Sequence, residues 1–211
     1  TPLTRSPVER AIIMNEAGFL NICVFCGASS GARAEYQQAA RALGQALVRR
    51  QLGLVYGGAS VGLMGTIADS VLDAGGEVIG VIPQSIADVE IAHKGLTQLH
   101  VVGSMHERKA LMADLSAGFV AMPGGIGTLE EIFEVWTWSQ LGIHQKPLGF
   151  LNVNGYYDAL SVFLDQQVTE GFVKPGHRVI AQTDSEPDGL LDQLLTARPP
   201  TEDKWLDGSQ R

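Results

Sequence analysis

Short runs of apolar residues alternate along this chain with longer stretches in which apolar residues recur every three or four positions. The short runs are typical of strands with both faces buried, and the recurring pattern is typical of amphipathic helices. The runs predict strands at residues 22–26, 54–56, 78–82, 99–102, 119–122, 148–152 and 179–182. The recurring pattern predicts helices at residues 34–50, 62–74, 106–116, 128–141, 156–170 and 187–196.

The order of these elements indicates how they assemble. Alternating strands and helices are typical of a parallel sheet whose two faces are covered by the connecting helices. We therefore predict the α/β class, with a Rossmann-like, doubly wound, mostly parallel sheet of about seven strands. We predict one domain at residues 19–197, an N-terminal extension at 1–18 and a C-terminal tail at 198–211. Within the extension, Met14 is a candidate for the natural start.

The composition adds size and charge to this picture. The chain has 211 residues, 45% of them hydrophobic, which is enough for a sizeable core. Its 23 acidic and 15 basic residues leave a formal net charge of -8, which argues against a broad surface for nucleic acid or anionic lipid. Because no apolar run approaches the roughly 20 residues of a membrane-spanning helix, we expect a soluble protein.

Cys23 and Cys26 form a C-x-x-C pair in the first predicted strand. Side chains three positions apart in a strand point to opposite faces of the sheet, so a disulfide between the two thiols is not expected. We predict two core thiols in a reducing cytoplasm. No further cysteine is present and the histidines lack ligand spacing, so no metal site is expected.

Glycine is abundant, with 25 residues, and much of it is concentrated in three places. The clusters lie at residues 27–31, 57–65 and 123–128, each directly after a predicted strand. In doubly wound sheets the ligand binds beyond the carboxyl ends of the strands, where these clusters would meet. An isolated pair such as Gly75-Gly76 is typical of an ordinary turn, whereas three clusters on one edge favour the approach of a ligand.

The third cluster, Pro123-Gly-Gly-Ile-Gly-Thr128, opens a predicted helix. Glycines let successive backbone N–H groups point into one concavity, and the start of a helix adds a positive partial charge, so the loop favours phosphate. Thr128 can cap the helix or donate its hydroxyl to a phosphate. The loop lacks the lysine of a Walker A motif, and no cluster matches a dinucleotide fingerprint, so a dehydrogenase is disfavoured.

Charged residues flank this loop in the sequence. Arg108 and Lys109 begin the helix after the fourth predicted strand and are expected to reach the same edge of the sheet. Glu130, Glu131 and Glu134 begin the helix after the glycine loop. Successive helical residues are rotated by about 100°, so Glu130 and Glu131 cannot face a ligand equally. Periodicity alone leaves open which glutamate is the functional one.

The segment Pro123-Gly-Gly-Ile-Gly-Thr-Leu-Glu-Glu131, together with Arg108-Lys109, resembles the P-G-G-x-G-T-x-x-E and R-K motifs of the LOG (LONELY GUY) family. Further similarity lies at residues 23–29, 54–58, 62–65, 78–83, 138–142 and 152–157, so the resemblance covers roughly residues 21–180. It implies a hydrolase that acts on N-glycosyl bonds and releases cytokinin bases from their riboside 5′-monophosphates. It also implies that neither a metal nor another cofactor is needed.

The resemblance implies a role for each matching residue. Arg108 and Glu131 fall on the family's catalytic pair, and Glu90 falls on an acidic position that contacts the substrate. The other substrate-contact positions are Ser29, Gly57, Gly58, Met105, Lys109, Gly124, Gly125, Ile126, Gly127, Thr128, Leu129, Glu130 and Thr137. Ile126 stands where the family often has an aromatic residue, a departure that bears on packing and base preference. The family's older label of lysine decarboxylase would require a Schiff-base lysine, and the sequence marks none.

Three functions remain open at this point. The first is hydrolysis of adenosine 5′-monophosphates, with or without an N6 substituent, which releases the free base (cytokinin or adenine) and ribose 5-phosphate. The second is a nucleosidase that acts on AMP or another purine monophosphate in salvage. The third is a carrier that binds nucleotides without hydrolysis, although such a protein would be expected to lack the Arg108 and Glu131 pair. The resemblance also implies a homodimer, for which helices containing Trp136 and Trp138 offer apolar surface; burial in the core is an equally good interpretation of each tryptophan.

Overall fold

The computed structural model describes residues 20–87 and 92–197 of the chain. Within these ranges, seven strands form one sheet in the order β4-β3-β2-β1-β5-β6-β7, and every neighbouring pair is parallel. The strands are β1 (Asn21–Phe25), β2 (Gly53–Tyr56), β3 (Val78–Pro83), β4 (Gln98–Val102), β5 (Gly118–Ala121), β6 (Leu148–Leu151) and β7 (Ala181–Asp184). The predicted α/β class with a doubly wound parallel sheet is therefore confirmed.

The helices lie between successive strands, except the last one, which follows β7. They are α1 (Ala34–Arg49), α2 (Gly62–Asp73), α3 (Gln84–Ala87), α4 (Met105–Asp114), α5 (Ile126–Gln140), α6 (Asp158–Thr169), α7 (Pro175–Arg178) and α8 (Pro187–Thr196). A short 3-10 helix at Val153–Gly155 precedes α6. Among the described residues, none of the helices combines the length and the apolar character that crossing a bilayer requires.

Six of the seven predicted strands agree with the structure to within one residue at each end. The exception is the last strand, which was predicted at 179–182 and spans Ala181–Asp184. Pro175 starts the short helix α7, and the N–H of Val179 still bonds back to the carbonyl of Pro175. Val179 therefore closes a helical turn, and its apolar side chain is 60% exposed instead of entering the sheet.

Two hydrophobic layers cover the sheet, one on each face. One contains Cys26 with side chains of α1, α2 and α8, and the other contains Cys23 with side chains of α4, α5 and α6. Both thiols are buried and free, as the alternation along the strand predicted. Burial raises the pKa of the Cys23 thiol, and the nearby Glu131 carboxylate raises it further.

The outer strand β4 departs from the prediction that helices cover both faces of every strand. Its residues alternate between half-buried and exposed, and Leu99 and Val101 are 40% and 51% exposed. β4 lies at the edge of the sheet and pairs with β3 alone among the described strands. An edge strand can pack one face on the core and leave the other open.

The carboxyl edge of the sheet brings the glycine loops together. The loop after β1 donates from the N–H of Gly27 to the carbonyl of Pro123 (3.2 Å), and its Gly27 carbonyl accepts from the N–H of Leu63 (3.0 Å). Gly62 has a φ of +58°, and a Cβ there would lie 2.3 Å from the carbonyl carbon of Ala28. Only glycine allows this approach of two backbones. The prediction that the three loops share one edge is confirmed.

Candidate active site

The start of α4 is fixed by reciprocal hydrogen bonds. The N-cap Ser104 accepts from the N–H of Glu107 (3.1 Å), and the Glu107 carboxylate accepts from the N–H of Gly103 (2.8 Å). This arrangement resembles a capping box, which satisfies backbone donors at a helix start. As a result, the side chains of the next two residues, Arg108 and Lys109, project from α4 in defined directions.

Arg108 extends from α4 across the ends of β3 and β2. Its Nε donates to the carbonyl of Val81 (3.2 Å), and its Nη1 lies 3.8 Å from the sulfur of Met105. A Cβ on Gly57 would lie 2.2 Å from the Arg108 Nη2, so Gly57 leaves the space that the guanidinium occupies. The side chain of Arg108 is only 12% exposed. Glycine at position 57 is therefore explained by the arginine that packs against it.

Glu131 lies opposite Arg108 on α5. Its Oε1 is 3.4 Å from the Arg108 Nη2, and its side chain is 11% exposed. Burial raises the pKa of Glu131 to about 6, although the positive charge of Arg108 opposes that rise. A carboxylate held beside a guanidinium in a desolvated site is an arrangement typical of catalytic groups.

The structure also answers which glutamate faces Arg108. Lys109 Nζ lies 2.5 Å from a Glu130 oxygen and 2.9 Å from a Glu134 oxygen. These two glutamates are four positions apart and lie on one side of α5, whereas Glu131 is rotated toward Arg108. Adjacent residues of α4 thus bind different carboxylates of α5, and Glu131 is the one left facing the edge of the sheet.

The loop from β5 into α5 contains glycines of two kinds. A Cβ on Gly124 would lie 2.1 Å from the Thr128 hydroxyl oxygen and 2.9 Å from the Gly27 nitrogen, so packing requires glycine there. A Cβ on Gly125 or Gly127 would meet no described atom within 4 Å. Neither has a positive φ, so the fold itself gives no reason for glycine at these two exposed positions. The free space in front of them suits the close approach of a ligand.

The start of α5 is open to an anion. The helix begins at Ile126 instead of the predicted residue 128, and no described side chain caps its N-cap residue Gly125. Thr128 therefore does not cap the helix; it lies in the first turn and is 4% exposed. The first backbone N–H groups of a helix have no partner within it, so those of α5 are available to a ligand.

Two consecutive tyrosines hold this loop from the side of β6. The Tyr157 hydroxyl donates to the carbonyl of Met122 (2.6 Å), and the Tyr156 hydroxyl donates to the carbonyl of Gly124 (2.5 Å). The carbonyls of Met122 and Gly124 therefore accept hydrogen bonds from within the fold, whereas the N–H groups at the start of α5 stay open. The Tyr156 ring also packs edge-on against Tyr36 of α1. No pattern in the sequence pointed to a role for these tyrosines, apart from the resemblance at residues 152–157.

The remaining predicted contacts differ in where the structure places them. Gly58 lies in the loop after β2, and Ser29, Met105 and Ile126 are at least partly exposed at the same edge of the sheet. Leu129 packs toward the core. Thr137 lies roughly 16 Å along α5 from its first residue, and its hydroxyl donates to the carbonyl of Phe133 (2.8 Å). Glu90 lies outside the described residues.

Trp136 is a core residue and not a surface for a partner. It is 3% exposed, and its indole N–H donates to the carbonyl of His177 (3.0 Å). Its ring stacks on Phe133 and packs edge-on against Phe150. Of the two interpretations of Trp136, burial in the core is therefore the one that the structure supports.

Comparisons of the sequence point to one family. The sequence model of a family described as "possible lysine decarboxylase" matches residues 64–194. A cytokinin riboside 5′-monophosphate phosphoribohydrolase of Arabidopsis thaliana is 50% identical over 181 residues, covering 86% of this chain and 79% of that protein. The protein of the same name from Rhodococcoides fascians is 54% identical over 159 residues, covering 75% of this chain and 80% of that protein.

Comparisons of the structure support the fold. A molybdenum cofactor binding protein from Rippkaea orientalis has a TM-score of 0.63 at 21% identity, over 83% of this chain and 95% of that one. The molybdenum cofactor carrier protein of Chlamydomonas reinhardtii has a TM-score of 0.64 at 20% identity, over 84% and 98%. At this level of identity the similarity establishes the fold alone.

The buried Glu131 makes the stability of the protein depend on pH. Its pKa of about 6 in the folded protein lies above the ordinary value of 4.5, so the folded state binds the proton more tightly than the unfolded chain does. The extra stability of the protonated form is fully present below pH 4.5 and is lost as the pH rises through about 6. Glu131→Gln should remove this dependence.

We therefore expect Glu131→Gln to gain stability relative to the wild type as the pH rises from about 4 to about 8. The gain should be about 2 kcal/mol, because each pKa unit corresponds to about 1.4 kcal/mol. Urea unfolding of both proteins across this pH range measures it. A difference in unfolding free energy that stays constant with pH would contradict the assignment.

Proposed function

This chain belongs to the LOG family of cytokinin riboside 5′-monophosphate phosphoribohydrolases, and on that premise we propose that it hydrolyses the N-glycosidic bond of adenosine 5′-monophosphates. The preferred substrates carry an N6 substituent on the adenine. The products are the free base and ribose 5-phosphate. Arabidopsis and Rhodococcoides relatives about half identical to this chain carry the name of this activity.

The observation that supports the proposal best is the buried pair of Arg108 and Glu131. The guanidinium and the carboxylate lie 3.4 Å apart, at the edge of the sheet where ligands of doubly wound folds bind. Hydrolysis of a glycosidic bond develops positive charge on the ribose and negative charge on the leaving base. The carboxylate can stabilise the positive charge on the ribose, and the guanidinium can stabilise the negative charge on the base.

In the proposed reaction, Glu131 acts on the ribose side of the scissile bond. Its carboxylate takes a proton from a water molecule, whose oxygen attacks C1′ of the ribose. The bond from C1′ to the purine nitrogen breaks, and its electron pair leaves with the base, which is protonated by solvent. Atoms balance as nucleotide plus water giving base plus ribose 5-phosphate.

Arg108 acts on the side of the leaving base. A guanidinium is not deprotonated in proteins, so it stabilises the developing negative charge through hydrogen bonds and does not transfer a proton. Its Nε is already bound to the Val81 carbonyl, which orients the outer nitrogens. The hydrogen bond to Val81 fixes the orientation of the guanidinium, and the space beside Gly57 accommodates it, so the cation is in place before the substrate binds.

The start of α5 is the proposed site for the 5′-phosphate. Its uncapped N–H groups and the open space before Gly125 and Gly127 are suited to a phosphate. Charge-assisted hydrogen bonds contribute roughly 1.5–3 kcal/mol each. Ser29, Gly58 and Met105 line the same edge and complete the proposed nucleotide contacts together with Thr128.

We further propose that the protein acts in the cytoplasm as a homodimer. Its two cysteines are free thiols, in keeping with a reducing compartment. Helix α6 buries only Leu164, and its Val162 and Phe163 are 69% and 55% exposed. This apolar surface of α6 takes the place of Trp136 as the candidate interface.

Light scattering of the purified protein tests the dimer. The expected mass is about twice the 22.5 kDa of the chain. Replacing both Val162 and Phe163 with Ser should lower that mass to the value of a single chain. A single-chain mass for the wild type would contradict the dimer, and an unchanged mass in the variant would contradict this interface.

Direct assay of base release tests the activity. The protein is incubated separately with isopentenyladenosine monophosphate, AMP, GMP and CMP, and free base is followed by chromatography. We expect release from isopentenyladenosine monophosphate to be fastest. Release from AMP alone would favour the salvage nucleosidase, and binding without release from any nucleotide would favour the carrier.

Glu131→Gln identifies the carboxylate responsible. We expect kcat to fall by about 10²-fold or more, the usual contribution of a general base, while the Kd of the nucleotide changes little. Glu170→Gln serves as the matched control, because Glu170 is exposed at the end of α6, outside the proposed site. Equal turnover in wild type and Glu131→Gln would refute the assignment.

Two glycine substitutions separate the catalytic from the phosphate-binding part of the site. Gly57→Ala places a methyl 2.2 Å from the Arg108 guanidinium, which must move. A misplacement of about 1 Å can lower the rate about 10²-fold, so kcat should fall. Gly125→Ala meets no described atom within 4 Å, so the fold should be retained while the KM of the nucleotide rises. Wild-type kinetics in both variants would contradict this arrangement.

A further inference from the structure

Lys109 is a buried cation that forms ion pairs with carboxylates of the neighbouring helix α5. Its side chain is 9% exposed, and its Nζ lies between Glu130 and Glu134 of α5. Burial opposes the charged form of the Lys109 ammonium, but its hydrogen bonds to the two carboxylates outweigh burial and raise its pKa. Lys109 is therefore held as a cation within this cluster of charges.

The cluster borders directly on Glu131. By helix geometry, Glu134 is rotated about 40° from Glu130 and about 60° from Glu131. Three carboxylates thus lie within one turn of α5, and repulsion among them would favour protonation of the most buried one. That residue is Glu131, at 11% side-chain exposure against 51% for Glu130 and 25% for Glu134.

We propose that Lys109 is a positioning residue, which neutralises Glu130 and Glu134 so that Glu131 faces Arg108 as a carboxylate. The catalytic consequence rests on the proposed function, whereas the electrostatic arrangement does not. Lys109 then acts through Glu131 and does not touch the nucleotide. This differs from the substrate contact that the family resemblance implies for the same residue.

The charged groups around Glu131 support this role. Arg108 and Lys109 face it from α4 and lower its pKa, whereas Glu130 and Glu134 of α5 raise it. The Cys23 thiol of β1 and the Cys26 thiol directly after this strand also interact electrostatically with Glu131, and burial raises the pKa of both, so they stay neutral. Lys109 is thus the group whose loss would leave Glu130 and Glu134 unopposed beside Glu131.

Titration of Glu131 in the full chain without substrate tests the proposal. The carboxyl carbons of ¹³C-labelled glutamates are followed by NMR, and Glu131 is assigned by the signal missing in Glu131→Gln. Lys109→Met should raise the titration midpoint of Glu131 by about 1 pH unit, because the charge of Lys109 lowers the pKa of Glu131 and loss of a nearby opposite charge shifts a carboxylate by about that amount. Lys109→Arg keeps the charge and should restore the wild-type midpoint.

Two further variants keep the test independent of how well Lys109→Met folds. Glu130→Gln alone removes a half-exposed carboxylate and should lower the midpoint of Glu131. The triple change Lys109→Met, Glu130→Gln and Glu134→Gln removes the whole cluster and should return the midpoint to the wild-type value. Lys94→Met is the matched control, because Lys94 is exposed in the loop before β4.

Binding of ribose 5-phosphate separates positioning from direct contact. At about pH 8, where Glu131 is ionised in each protein, the Kd of ribose 5-phosphate should be equal in wild type and Lys109→Met. An unmoved Glu131 midpoint in Lys109→Met, or a Kd raised about tenfold or more, the cost of a charge-assisted hydrogen bond, would overturn the proposal.

In the assay of base release, kcat/KM falls as the pH is lowered through the pKa of Glu131. In Lys109→Met this fall should occur at a higher pH, by the same amount as the NMR midpoint rises. The NMR titration needs no turnover. A protein that releases no base would therefore refute the proposed function and leave the test of Lys109 intact.

Discussion

The parallel pairing of β1 with β5 is the constraint on which the rest of the site depends. Cys23 lies beside Phe119 and Phe25 beside Ala121, so the two strands end together although almost a hundred residues separate them in the chain. Between these strands the direction of the crossovers reverses, which opens a gap between the loops that follow them. The hydrogen bond from Gly27 to Pro123 joins those loops at the gap. The start of α5, and with it Glu131, is placed by this junction.

Near that junction the protein buries charged side chains, which costs folding free energy that an apolar core would not cost. Burying a carboxylate opposes folding, and the ion pair with Arg108 offsets that cost only in part, which is why the pKa of Glu131 stays raised. Lys109 of α4, itself desolvated, is stabilised by two carboxylates of the neighbouring helix α5, those of Glu130 and Glu134. Two adjacent cations on α4 and three carboxylates on α5 therefore form one connected system. In the proposed reaction, this arrangement would stabilise the opposite charges that develop on the ribose and the base.

The glycines of this edge have two separate explanations. Gly62 and Gly124 are required by neighbouring atoms of the fold, and Gly57 by the guanidinium of Arg108. Gly125 and Gly127 face open space, so the fold itself does not require glycine there. The hydroxyl groups of Tyr156 and Tyr157 then hold the carbonyl groups of the loop, which leaves its N–H groups as the exposed polar surface. The glycines required by packing bring the loops together, and the two open glycines leave the space in which we propose that the phosphate binds.

The sequence by itself determined the elements, the parallel sheet and the edge at which the glycine loops meet, because these follow from local periodicity and from the strand-helix order. It also predicted that Arg108 and the glutamates of α5 lie near each other, since the helices that contain them begin after strands that end at that edge. Only the tertiary structure decided that Glu131 faces Arg108 while Lys109 binds Glu130 and Glu134. Only it showed that tyrosines 32 and 35 positions away in the chain hold the loop. These choices depend on the rotation of α5 about its axis and on distant backbone carbonyls, and no periodicity along the chain encodes either.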